Sequence, residues 1–128
     1  MVNILAVVVA AFVMFAIGAA WYTALFGQQW RDLQGIKGGA QPEPMALIVG
    51  FLGNLVEAYV LARVIVWYGS PGIISGIVAA VVLWAGFVAA IMVPTIYYER
   101  KPPMVVAINA SYQLVGLVVM GAILGLWR

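Results

Sequence analysis

The chain has 128 residues, 66% of them hydrophobic and only 8% charged, with a mean hydropathy of +1.13. Soluble domains carry about 25% charged residues, so a water-soluble globular fold is excluded, and disorder with it. The absence of Cys and His removes disulfides, thiolate nucleophiles and the commonest acid–base and metal ligand, and a net charge of +2 from ten ionisable side chains is no nucleic-acid footprint.

The first apolar run covers about 2–26. It lacks a basic n-region and is too long for a signal-peptide core, so it reads as a retained span. A polar stretch over about 27–43 follows, containing Gly35, Gly38, Gly39 and Pro42. The second run, about 44–68, opens with Pro44 at a first-turn position, where its missing N–H costs nothing. Gly69-Ser70-Pro71-Gly72 is so short a connection that the second and third runs form an antiparallel hairpin. The third run extends over about 73–98, the loop Glu99-Arg100-Lys101-Pro102-Pro103 follows, and the fourth run covers about 104–127. Each run is apolar all round and long enough for about 30 Å of hydrocarbon, whereas barrel strands would be about ten residues of alternating polarity. The expected fold is an all-α bundle of four transmembrane helices in a single membrane domain.

Arg31 and Lys37 fall in the first polar loop, and Arg100 and Lys101 in the third connection. The positive-inside rule then predicts both loops in the cytoplasm and both termini outside. Trp21, Tyr22, Trp30, Trp67 and Trp127 stand near span ends and read as interfacial anchors, as do Tyr68, Tyr97 and Tyr98. Overlaying Pro44-Met45 on Pro103-Met104 superposes Asn54 on Gln113, which hints at two related hairpins.

Polar groups within the spans carry the functional signal, because each is costly in lipid. Asn54 and Glu57 lie three apart near the middle of the second run, and Asn109 and Gln113 lie four apart on the fourth, with Ser111 and Tyr112 beside them. Each pair shares a helix face, so packing of the two spans would gather a polar cluster. An ionised carboxylate at the bilayer centre costs about 2.5–3.5 kcal/mol on insertion scales. Glu57 is therefore read either as a protonatable site coupled to a solute, preferably cationic, or as a hydrogen-bonded contact between helices. Arg63 lies about 120° around the helix from Glu57 and four residues from Trp67, which suits snorkelling beside that ring. Gly121 with Gly125, and Gly72 with Gly76, have the spacing of close helix contacts, and Pro94 should bend the third span near its end.

Trp21-Tyr22 before Leu25-Phe26-Gly27 and Trp30, Asn54 with Ala58-Tyr59, Trp84 with Gly86-Phe87, and Asn109 with Tyr112 before Gly121 and Trp127 form an ordered set over nearly the whole chain. Taken together they resemble the family known as domain of unknown function 1761, small four-span prokaryotic membrane proteins. The resemblance implies a fold and no activity.

No phosphate-loop, dinucleotide or metal motif occurs, and the Ser and Thr residues have no His partner, so an enzyme and a cofactor are not expected. Two function classes remain. One is a small transporter- or channel-like protein for a solute or ion, homo-oligomeric because four short helices rarely enclose a pathway alone. The other is a non-catalytic accessory or structural subunit of a larger membrane complex.

Overall fold

In the computed structural model the described residues are 2–27, 29, 32, 44–69 and 72–127, so most of the expected loop over 27–43, with Trp30, lies outside them. Among the described residues all the regular secondary structure is helical. In chain order the elements are α1 (Ile4–Ala20), a π-helical turn π1 (Trp21–Leu25), α2 (Pro44–Tyr68), α3 (Ile73–Trp84), a second π-helical turn π2 (Ala85–Ala89), α4 (Ala90–Met92), α5 (Thr95–Tyr98) and α6 (Pro103–Leu126). They make four helices long and apolar enough to cross a membrane: span one (Ile4–Leu25), span two (Pro44–Tyr68), span three (Ile73–Tyr98) and span four (Pro103–Leu126).

The local sequence explains the ends. Asn3 caps α1, its Oδ1 accepting the Ala6 N–H at 3.2 Å. Gly69 closes α2 at φ +82°, where its N–H reaches the carbonyls of Ile65 and Val66. Pro103 occupies the first turn of α6.

The interior is built from small residues. Ala6, Ala10, Ala11, Ala58 and Ala80 are wholly buried, around the larger Met14, Leu61, Ile65, Ile108 and Met120. Large apolar side chains such as Leu5, Phe12, Ile48, Leu52, Val82, Phe87 and Ile91 point outward. That inversion of the soluble pattern fits helices solvated by lipid, where small residues allow backbones to approach.

Span four is the hub, the most buried of the four, and span three is the least buried. Spans one, two and three all pack on it, span two also packs on span one, and Phe51 meets the rings of Phe12 and Phe15. Spans three and four make the tightest contact. Gly72 N–H donates to the Gly125 carbonyl at 3.3 Å, and a Cβ on Gly76 would overlap the carbonyl of Gly121. The two Gly-x-x-x-Gly pairs thus mark one shared face.

That contact does not continue along span three. The expected bend is at Pro94, yet the helix departs from α geometry nine residues earlier, at Ala85 in π2, and breaks again at Val93-Pro94. Proline supplies no N–H for the ladder, and Thr95 Oγ1 instead donates to the Met92 carbonyl at 2.5 Å. From Ala85 onward few residues touch the rest of the bundle. Span two is similarly loose at this end, every residue from 44 to 50 being exposed.

Candidate functional site

Two tryptophans and a tyrosine fasten this half of the bundle to span four. Trp21, opening π1, donates its indole N–H to the Ile108 carbonyl at 3.0 Å, and Trp84, just before π2, donates to the Ala110 carbonyl at 2.8 Å. A helix carbonyl has two lone pairs, so it can take an indole without surrendering its ladder bond. Each π-turn inserts one residue into the helix and so re-aims the side chains that follow it. Tyr22 Oη donates to Asn109 Oδ1 at 2.6 Å, and Tyr112 Oη to the Met14 carbonyl at 3.3 Å. The two tyrosine rings meet edge-on, 5.4 Å between centroids.

Trp21 and Tyr22, read from sequence as interfacial anchors, thus also serve as inward-facing donors. Trp67 and Trp127 are exposed at the opposite end, and the Arg63 guanidinium lies 5.4 Å from the Trp67 ring centroid, as its spacing suggested.

The expected polar residues divide into two groups. Asn109 and Tyr112 are engaged through Tyr22 and Met14. Asn54 is buried on the face of span two that also carries Ala58, Leu61 and Ile65, and Glu57 is half-buried on the flank of that face. Phe51 and Ala62 mark the side toward span one, so at about 100° per residue Glu57 falls on the flank turned from it. It is nonetheless near enough to Tyr112 to interact electrostatically. Among the described residues neither Asn54 nor Glu57 has a hydrogen-bond or ion-pair partner, and Gln113 Oε1 is buried without one. Both indole clamps fall on span four and none on span two.

Parts of spans two and three present open helix surface. A Cβ added to Gly50 or Gly53 on span two, or to Gly86 within π2, would meet nothing within 4 Å. Gly50 and Gly53 lie on the same flank of span two as Glu57. A small cavity of about 10 Å³, about one water in size, lies at the other end between Val2, Asn3, Ala62, Ile65, Val66, Leu124 and Trp127, and none of the expected site residues lines it.

The clamps suggest a first test. Trp84→Phe removes a donor but keeps an aromatic ring, and should lower stability by about 1 kcal/mol in detergent unfolding. Trp67→Phe, on an exposed ring, should leave it unchanged. Equal behaviour of the two variants would deny the clamp an energetic role.

The family model described as "Protein of unknown function (DUF1761)" matches residues 5–125, and the chain belongs to that family. No curated protein and no solved structure matches it.

Proposed function

We propose that this family member is a small transporter- or channel-like integral membrane protein, in which Glu57, Asn54 and Gln113 line a water-accessible crevice between spans two, three and four. The observation that carries this reading is the coincidence of unpartnered polar groups with open helix surface. A buried polar atom left without a partner costs about 1–3 kcal/mol, a cost that water or solute in the crevice would relieve. A dry packing contact would instead pair these groups with one another. Asn109 and Tyr112 form the satisfied wall of the crevice.

By the same proposal the protein lies in a prokaryotic inner membrane as a homo-oligomer, with the loops over 27–43 and 99–103 in the cytoplasm and the crevice opening on that side. The basic residues Arg31, Lys37, Arg100 and Lys101 support this orientation.

Purified protein in liposomes, tested with radiolabelled ethanolamine, choline and ethylene glycol under an imposed proton gradient, should take up at least one solute faster than protein-free liposomes. Uptake of none of them, together with recovery of a stable heteromeric complex from native membranes, would replace this reading with that of an accessory subunit.

A further inference from the structure

The hydrogen-bonding inventory around the crevice is unbalanced. The indoles of Trp21 and Trp84 donate to the Ile108 and Ala110 carbonyls, the hydroxyls of Tyr22 and Tyr112 to Asn109 Oδ1 and the Met14 carbonyl, and Ser111 Oγ to the Ile108 carbonyl at 3.1 Å. The strong aromatic and hydroxyl donors of this half are therefore already spent on the protein's own acceptors. The acceptors left open are the Glu57 carboxylate and Asn54 Oδ1, with no partner among the described residues, and the buried Gln113 Oε1.

Charge is unbalanced in the same direction. Arg63 lies toward the other end of span two and is held over the Trp67 ring. Lys101 lies 4.0 Å from Glu99 in the connecting loop, and Arg100 is exposed in that loop. Among the described residues no cation of the protein faces Glu57. With Glu57 ionised, a ligand that brings both a positive charge and N–H donors would complete this site. A metal ion would want more ligands than one carboxylate and neutral amides, and the described residues hold no group of three His, Cys, Asp or Glu side chains.

We infer that the crevice binds a small organic ammonium ion, its N–H groups shared between the Glu57 carboxylate and Gln113 Oε1. The inference rests on the crevice proposed above and adds the chemical class of its ligand. Glu57 supplies the counter-charge, and Gln113 selects for N–H over a fully alkylated nitrogen. The phenol of Tyr112, electrostatically linked to Glu57, forms the neighbouring wall.

Three probes of similar size separate the contributions: ethanolamine carries charge and N–H donors, choline carries charge without N–H, and ethylene glycol carries neither. Calorimetric titration of the detergent-solubilised protein should show saturable binding of ethanolamine, at least tenfold weaker binding of choline, and none of ethylene glycol. Glu57→Gln and Gln113→Leu should each weaken ethanolamine binding at least tenfold, whereas Glu57→Asp should retain it. Circular dichroism and gel filtration identify any variant that has not folded, and the three-probe ranking on the wild type decides the inference without variants. Ethylene glycol binding as well as ethanolamine, or no saturable ethanolamine binding, overturns the ammonium assignment. In either event, labelling of cysteines placed in the crevice would still uphold the crevice itself, so the two failures are distinguishable.

Discussion

Replacing Gly76 with alanine is expected to destabilise the bundle by about 3 kcal/mol, the upper part of the usual range for overpacking. The new methyl would overlap the Gly121 carbonyl and lie 3.2 Å from the Gly125 Cα, so the obstacle is backbone rather than a mobile side-chain tip. Relief requires spans three and four to separate. That would lengthen the 3.3 Å bond from Gly72 N–H to Gly125 and loosen small-residue packing around Ala80. Gly121→Ala should behave alike, because its Cβ would overlap the Gly76 carbonyl. Gly50→Ala and Gly86→Ala provide the contrast: nothing lies within 4 Å of either added Cβ, so both should fall within about 0.5 kcal/mol of wild type. Thermal unfolding in one detergent ranks all four. Equal losses at Gly76 and Gly50 would mean that helix propensity, rather than the interhelical contact, sets the cost.

The second large effect concerns function. Glu57→Gln keeps size and hydrogen-bonding capacity but removes the carboxylate, and is expected to reduce solute uptake into proteoliposomes at least tenfold while leaving unfolding nearly unchanged. The stability half follows from the absence of any hydrogen-bond or ion-pair partner for Glu57 among the described residues, since no contact is lost. A packing role predicts the reverse, with stability falling and uptake intact. Measuring both quantities on one preparation separates the two accounts.

Much of this organisation is legible in the residues, and what is not has a physical cause. The four spans follow from length and apolarity, and the Gly72/Gly76 and Gly121/Gly125 pairs lie where their spacing put them. The π-turns are hidden: residues 85–89 are apolar on every side, residues 21–25 carry only the Tyr22 and Thr23 hydroxyls, and no clear periodic signal shifts when one residue is inserted. Trp21 and Tyr22 look like interfacial anchors because they stand near a span end, and only the structure reveals their acceptors on span four. Trp84 carries a clearer signal. It lies deep within its span, where an indole N–H has to find a partner, and that requirement points to a polar contact with a neighbouring helix. Asn109 was grouped with Gln113 by their shared face, but Tyr22 engages Asn109 and leaves Gln113 Oε1 unpartnered. Helical spacing assigns faces; it does not assign partners.

The central claim is that water reaches the groups left unpaired. The natural chain has no Cys, so single cysteines report cleanly on access. Gln113→Cys and Asn54→Cys in sealed vesicles should react with a small charged methanethiosulfonate added on the side of the 99–103 loop, as should Lys101→Cys in the loop itself. Val82→Cys, exposed but facing outward from the bundle, should not react. Labelling at both crevice positions, slowed by ethanolamine, is the result the account predicts. Reaction at Lys101→Cys with none at Gln113→Cys or Asn54→Cys would contradict it and make the polar set a closed contact between helices.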